Sequence, residues 1–218
     1  KSLCYQLPTY ILEKPTLVIS PLISLMDDQV MQMKLNGEHA VCCIHSGMDN
    51  TEKRQNLSNI RQSKFIYLSP EFILQPQNFK LIANIDFGLI VLDEAHCLSE
   101  WGYDFRPHYA LIRKVTKYFP QATLLALTAT AQPFLIDDLN DMLETKFHQI
   151  KTTMNRNNIM LSHKNFSNDD EKLTWLLPFI ENSGPTIIYV SSKKMCATLA
   201  HAIYEHGFLT GIYHGDMS

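Results

Sequence analysis

The sequence predicts an α/β fold in which helices cover both faces of a parallel sheet. Short runs of apolar, largely β-branched residues recur along the chain, and a longer polar or amphipathic stretch follows each of them. Strands that are apolar throughout are typical of sheets buried on both faces, which is how parallel sheets occur. Alternation of such strands with helices favours the α/β class. With 45% hydrophobic and 19% charged residues, the chain has the composition of a globular protein.

The elements can be followed from the first residue. A helix is predicted in SLCYQLPTYIL, directly after Lys1. Five strands are predicted beyond it, namely LVIS at 17–20, VCCI at 41–44, FIYL at 65–68, LIVL at 89–92 and TLLAL at 123–127. Two further segments have early acids and apolar residues three or four apart, which indicates helices: DDQVMQMKL at 27–35 and DDLNDMLE at 137–144.

The character of the chain changes at 151–172, which is polar, rich in Asn and without a helical period. Beyond this stretch we predict the helix LTWLLPFIEN, kinked or ended at Pro178, the strand TIIYV, a helix at about 193–206 and a strand starting at GIYHG. We therefore predict a first domain at 1–152, a linker at 153–170 and the beginning of a second domain at 171–218. The roughly 50 residues of the second unit are too few to close a doubly wound core.

Charge and cysteine content exclude some classes of protein. A net charge of −3 provides no broad basic field of the kind that attracts nucleic acids. The five cysteines show no C-x-x-C spacing, so we expect no zinc site in this segment. No apolar run approaches the ~20 residues of a membrane span. We see no charged-then-apolar leader, and we expect an intracellular protein without membrane association.

Two acids, Asp93 and Glu94, end the fourth predicted strand. Ligands of parallel sheets collect at the carboxyl ends of the strands. Asp93 suits a Mg²⁺ ion held largely through water, because this ion keeps most of its hydration shell. Glu94 would orient and deprotonate the water that attacks a γ-phosphate. On these residues alone, a solvated turn or a helix cap is an equally open interpretation.

The residues around the acids extend this hypothesis. A metalloprotease is excluded because His96 has no H-E-x-x-H context. Thr128 and Thr130, in LTATA, follow the fifth strand and offer hydroxyls for a relay from His96. Lys1 and Ser2 match the tail of the phosphate loop G-x-x-x-x-G-K-[ST]. Taken singly, each of these residues is also compatible with an ordinary structural role.

Aromatic rings crowd the segment directly after the acids. Trp101, Tyr103 and Phe105 lie within SEWGYDFRPHY, and flat rings are the surfaces on which nucleic-acid bases stack. Core packing is the competing explanation for each ring.

Considered together, the motifs resemble those of a superfamily 2 helicase in order and spacing. They are KS at 1–2, VISPLISLMDDQV at 18–30, LSPE at 68–71, DEAH at 93–96, SEWGYDFRPHY at 99–109, LTATA at 127–131, IIYVSSK at 187–193 and YHG at 213–215. The combination of SPLISLM, DEAHC and W-G-x-D-F-R-P is similar to that of the RecQ family of DNA helicases, over essentially the whole chain. This resemblance implies a RecA-like first domain and the start of a second RecA-like domain. It also implies ATP-dependent 3′ to 5′ DNA unwinding in recombination and repair.

The resemblance assigns roles to the nucleotide-site residues. Lys1 would contact the β and γ phosphates, Ser2 and Asp93 would hold Mg²⁺, and Glu94 would be the catalytic base. His96, Thr128 and Thr130 would couple hydrolysis to movement.

It also assigns DNA contacts. In the aromatic loop that senses single-stranded DNA, the key positions correspond to Trp101, Phe105 and Arg106, while Tyr103 stands where the family often has His. Contacts to the DNA backbone fall on Ser20, Pro21, Leu22, Ser69, Ser191, Ser192 and His214. The first four lie in strand-to-helix turns, where exposed N–H groups bind phosphate without net positive charge.

The expected ligands are therefore ATP, Mg²⁺ and single-stranded or forked DNA, and the expected compartment is the bacterial nucleoid or a eukaryotic nucleus. The resemblance places the phosphate-loop glycines before Lys1 and an arginine finger after Ser218. We accordingly expect that this segment alone neither hydrolyses ATP appreciably nor unwinds DNA. Two alternatives stay open: an RNA helicase of the DEAH or DEAD kind, and a non-catalytic nucleic-acid-binding protein on a degenerate ATPase fold.

Overall fold

The computed structural model describes residues 1–99, 112–130, 134–151, 157–215 and 217. The chain divides into two compact units, Lys1–Lys151 and Thr152–Ser218. No helix among the described residues combines the length and the apolar character that crossing a bilayer requires.

The first unit is built on a five-stranded parallel sheet. Its strands are β1 (Thr16–Ile19), β2 (Val41–Ile44), β3 (Phe65–Leu68), β4 (Leu89–Asp93) and β5 (Thr123–Leu127). They lie in the order β2-β3-β1-β4-β5, and every neighbouring pair is parallel. The α/β class and the five predicted strands are confirmed.

Helices cover both faces of this sheet. They are α1 (Leu3–Leu12), α2 (Ile23–Leu35), α3 (Asn50–Asn59), α4 (Pro70–Ile73), α5 (Pro76–Ile82), α6 (His96–Ser99), α7 (Ile112–Tyr118) and α8 (Leu135–Leu143), with a 3₁₀ turn at Ile60–Gln62. One core cluster joins α1 and α2 to strand residues such as Val18 and Val91. The other joins the opposite strand residues, such as Ile19 and Leu92, to the remaining helices. Cover on both faces explains why β1 to β4 are apolar apart from Thr16, at the start of β1, and Asp93, at the end of β4.

The register of the sheet fixes which residues meet at its carboxyl edge. Ile19 pairs with Leu92, and Asp93 pairs with Leu127. The residue after Ile19, Ser20, therefore lies beside Asp93, about 4.8 Å away in the direction of strand spacing. Because side chains alternate along a strand, Ser20 and Asp93 point to the same face as Val18 and Val91, the face covered by α1 and α2.

The second unit contains α9 (Asp169–Ser183) and α10 (Lys193–Glu205). The first of these helices continues through Pro178, so of the two predictions for this residue the end of the helix is wrong and the kink stays a prediction. The predicted strands TIIYV and GIYHG are not observed, because the described residues of this unit form no strand. Ile187 is 80% exposed and Tyr189 is 92% exposed. An apolar run becomes a strand only when a neighbouring strand accepts its hydrogen bonds, and the assignment of 171–218 to a second RecA-like domain stays a prediction.

Candidate active site

Asp93 and Glu94 lie at the carboxyl edge of the sheet, where β4 ends. Asp93 is only 9% exposed. Glu94 has a φ of 48°, in the left-handed region, which costs a residue with a side chain roughly 1–2 kcal/mol. Two other described residues with a side chain share this conformation, Glu13 and Glu144, and both are ordinary helix C-caps. Glu94 instead follows a strand, and such strain outside a cap is typical of functional sites.

The carboxylate of Glu94 lies between two basic groups. Lys1 Nζ is 2.5 Å from Glu94 Oε1, and His96 Nδ1 is 3.4 Å from Glu94 Oε2. Lys1 lies directly before α1, and the carbonyl of Ser2 accepts the N–H groups of Tyr5 and Gln6. The structure thus brings the predicted phosphate-loop lysine to the predicted catalytic acid.

His96 also contacts the end of the neighbouring strand. Its Nδ1 is 3.0 Å from Thr128 Oγ1, and the N–H of Thr130 donates to the same oxygen at 3.1 Å. The N–H of Ala95 donates to the carbonyl of Leu127 at 2.9 Å, which ties the DEAH segment to β5. The predicted neighbours are therefore in contact, while their role in coupling stays a prediction.

The environment of Asp93 opposes its charge. Burial raises the pKa of this carboxyl, the charge of Lys1 lowers it, and the charge of Glu94 raises it further. Tyr5 and Tyr67 lie on the same face of the sheet as Asp93, one layer closer to the core. Their hydroxyl oxygens are 3.1 Å apart, and the hydroxyl of Tyr67 donates to Met33 Sδ at 3.4 Å. Burial raises the pKa of both phenols, and the nearby charge of Asp93 adds to the rise. Ionisation of Asp93 is therefore opposed by its burial and by Glu94, and favoured by Lys1.

The predicted DNA-backbone contacts of the first unit need correction in one respect. The N–H of Ser20 donates to the carbonyl of Leu68 at 3.3 Å, and the N–H of Ser69 donates to the carbonyl of Ile44 at 3.4 Å. Both serines are buried, and Ser69 Oγ caps α4 by accepting the N–H of Phe72. The expectation that these two N–H groups are exposed to phosphate is wrong. Pro21 has no N–H, so the donors left in this turn are the N–H of Leu22 and those of the first turn of α2.

The remaining predicted contacts lie elsewhere in the chain. Ser192 caps α10 by accepting the N–H of Met195 at 3.2 Å, the neighbouring Ser191 is exposed, and His214 is half-buried. Trp101, Phe105 and Arg106 lie outside the described residues, so their assignment to the DNA-sensing loop stays a prediction.

One group of potential metal ligands had no signal in the sequence. Asp27, Cys43 and His45 come together from α2 and the end of β2, with His45 Nε2 2.9 Å from Asp27 Oδ1 and Cys43 Sγ 3.9 Å from the same oxygen. The N–H of Gly47 donates to His45 Nδ1 at 3.2 Å, so Nε2 carries the ring proton and donates to Asp27. Without any metal, this group is a satisfied hydrogen-bond network.

Comparison with known proteins agrees with this geometry. The sequence profile of the DEAD/DEAH box helicase family matches residues 1–139. The probable ATP-dependent DNA helicase RecS of Bacillus subtilis is 38% identical over 221 residues, which cover 100% of this chain and 44% of that protein. The ATP-dependent DNA helicase RecQ of Haemophilus influenzae is 37% identical over 220 residues, which cover 100% of this chain and 35% of that protein. The chain thus spans less than half the length of either relative.

A solved structure shows the same fold. Saccharomyces cerevisiae Dbp5 bound to RNA and ADP BeF3 superposes with a TM-score of 0.68 at 18% identity, over 94% of this chain and 52% of that one. This likeness confirms the predicted RecA-like fold.

Proposed function

Because the chain belongs to the DEAD/DEAH box helicase family, we propose that it forms the ATP-hydrolysing core of a RecQ-type DNA helicase. The observation that carries this proposal is the contact of Lys1 with Glu94 beside the buried Asp93. The names of the two curated relatives support DNA as the substrate. We further propose translocation from 3′ to 5′ on single strands and action at forked DNA in recombination and repair, in the nucleoid or nucleus.

The residues at the edge of the sheet fit a Mg²⁺–ATP complex. The donor set is one of hard oxygens, the carboxylate of Asp93 and the hydroxyl of Ser2, which this ion prefers over sulfur or nitrogen. When bound, Mg²⁺ neutralises charge that develops on the phosphates. Asp93 would hold it through water, which suits a carboxylate at the end of a buried strand.

The contact of Lys1 with Glu94 suggests how the site responds to nucleotide. A triphosphate would compete with Glu94 for the ammonium group of Lys1. The carboxylate would then be free to accept a proton from the attacking water. His96, 3.4 Å from Glu94 and 3.0 Å from Thr128, would transmit this change to the end of β5.

The Glu94→Gln variant of the full-length protein tests the catalytic role. Loss of a general base costs a factor of about 10² to 10⁴ in rate, so we expect DNA-stimulated ATP hydrolysis to fall by that factor while binding of a fluorescent ATP analogue persists. Glu13→Gln is a matched control, since Glu13 shares the left-handed backbone but caps α1. A Glu94→Gln variant that hydrolyses ATP at the wild-type rate would refute the assignment.

The nucleic acid that stimulates hydrolysis distinguishes the proposal from its alternatives. We expect single-stranded DNA to stimulate the wild-type ATPase more strongly than RNA of the same sequence and length. Stronger stimulation by RNA would instead indicate an RNA helicase. No ATP hydrolysis with either nucleic acid, together with retained nucleic-acid binding, would indicate a non-catalytic binding protein.

A further inference from the structure

We propose that Ser20 is a further ligand of the nucleotide site, and that its hydroxyl accepts a hydrogen bond from a water molecule bound to Mg²⁺. This inference rests on the proposed function, because it takes Mg²⁺–ATP as the ligand. It replaces the DNA-backbone contact that the sequence predicts for this residue.

The position of Ser20 is set by the sheet. It follows β1, which lies between β3 and β4, and the in-register pairs of β1 with β4 bring it beside Asp93. Both side chains point to the face covered by α1 and α2, as Val18 and Val91 do. The backbones of Asp93 and Ser20 are therefore about one strand spacing, ~4.8 Å, apart, so a ligand held by Asp93 would lie on the side of the sheet that Ser20 faces.

The hydroxyl of Ser20 is a buried polar group without a partner. The residue is 1% exposed, and among the buried side-chain nitrogen and oxygen atoms of the described residues, only Ser20 Oγ lacks a hydrogen bond. Burying a hydroxyl unpaired costs free energy that an alanine would not incur. Serine at this position is thus unfavourable for the fold alone.

Neighbouring hydroxyls show that this fold satisfies such groups elsewhere. Thr16, on the same strand and the same face, pairs with Thr9 at 2.6 Å. Ser69, at the equivalent end of β3, caps α4. The unpaired hydroxyl, that of Ser20, lies next to Asp93, the predicted Mg²⁺ ligand. A bound Mg²⁺–nucleotide complex could supply the missing hydrogen bond there.

Burial favours water over a DNA phosphate as the partner. A phosphate in a nucleic-acid backbone is bulky, and a side chain with 1% exposure offers it no access. Mg²⁺ keeps several waters when it binds to proteins, and those waters donate hydrogen bonds. A water is much smaller than a phosphate, so a small shift of the side chains between Asp93 and Ser20 would be enough to let it reach Ser20 Oγ.

The experiment compares Ser20→Ala with Ser69→Ala in the full-length protein. For each variant we would measure the melting temperature without nucleotide, and the Mg²⁺ concentration that half-saturates binding of a fluorescent, non-hydrolysable ATP analogue. For Ser20→Ala we expect an unchanged melting temperature or a rise of about 2–4 °C. Its half-saturating Mg²⁺ concentration should rise roughly 3- to 10-fold, as expected for one lost hydrogen bond. Ser69→Ala should lower the melting temperature and leave the Mg²⁺ dependence unchanged.

Two results would overturn the inference. A Ser20→Ala variant that melts earlier and keeps the wild-type Mg²⁺ dependence would show that the hydroxyl serves the fold. A variant that binds single-stranded DNA more weakly without nucleotide, again with wild-type Mg²⁺ dependence, would restore the DNA contact. Failure of the proposed function would be seen separately, as a wild-type protein that binds the analogue but shows no DNA-stimulated hydrolysis.

Discussion

At the scale of the residue, the proposed function of Asp93 conflicts with the stability of the fold. Asp93 is buried with a raised pKa, so its ionised form is less favourable in the folded chain than in the unfolded chain. In the proposed Mg²⁺ site, the same residue has to be ionised to hold the cation. Stability of the nucleotide-free fold and function therefore make opposite demands on this carboxyl.

The Asp93→Asn variant measures this conflict. We expect its melting temperature without nucleotide to exceed that of the wild type by about 2–4 °C near pH 8. Because the pKa of Asp93 is raised by folding, its ionisation destabilises the fold as pH rises, so the difference should be smaller at a lower pH, where more of the wild-type Asp93 is protonated. Binding of Mg²⁺–nucleotide should weaken.

Thermal melting at the two pH values checks this expectation. Asp86→Asn is the matched control, because Asp86 is an exposed partner of Lys14 and surface ion pairs contribute little. A lower melting temperature for Asp93→Asn than for the wild type near pH 8 would contradict the argument.

At the scale of elements, the site depends on how β4 and β5 are joined beyond their ladder. Past the ends of the two strands, the N–H of Ala95 donates to Leu127 and the imidazole of His96 contacts Thr128. The first bond belongs to the backbone and survives substitution, whereas the second depends on one hydroxyl. A substitution can therefore remove the contact of His96 with Thr128 while leaving the backbone hydrogen bond of Ala95 in place.

Thr128→Val tests this connection because it removes the hydroxyl while keeping the side-chain shape. We expect ATP hydrolysis to fall by less than DNA unwinding, so that more ATP is consumed for each base pair opened. Parallel assays of phosphate release and strand separation give this ratio. Thr123→Val, at the other end of β5, should leave the ratio unchanged. An unchanged ratio in Thr128→Val would argue against a coupling role.

At the scale of the whole molecule, periodicity and composition were sufficient to predict the sheet. Five largely apolar runs predicted five parallel strands. For β1 to β4 the reason is burial on both faces, which requires apolar side chains on both sides of a strand, whereas β5 is only partly buried. The strands predicted in the second unit had the same apolar signature and were not observed. An apolar run records the tendency to be buried and carries no information on whether a neighbouring strand is present to pair with it.

Only part of the candidate site could be predicted, because the sequence shows which residues end the strands but does not show what their backbone groups contact. Residues at strand ends with distinctive chemistry, such as Asp93, Glu94 and Thr128, could be identified, because parallel topology brings strand ends together. The partner of each N–H group could not be predicted, and the expected exposure of Ser20 and Ser69 was therefore wrong. The cluster of Asp27, Cys43 and His45 was missed because its members are joined by the register of α2 against β2 and by no local spacing.

We propose that the aromatic segment SEWGYDFRPHY couples DNA binding to ATP hydrolysis, which is a property of the whole molecule. Removing the rings in Trp101→Ala and Phe105→Ala should leave binding of the ATP analogue intact. The DNA concentration for half-maximal stimulation should rise about 5- to 150-fold, since stacking contributes about 1–3 kcal/mol per base. Trp101→Phe keeps a ring and should retain most of the stimulation. Wild-type stimulation in both alanine variants would show that the rings are structural.

The left-handed backbone of Glu94 has a consequence for how this position can vary. Glycine adopts that conformation without penalty and asparagine adopts it more readily than glutamate. Repeated laboratory selection for thermal resistance alone would therefore drift toward Gly or Asn at position 94, while selection for turnover would hold the carboxylate. The residue found at position 94 after such selection would therefore show whether stability or turnover had been selected.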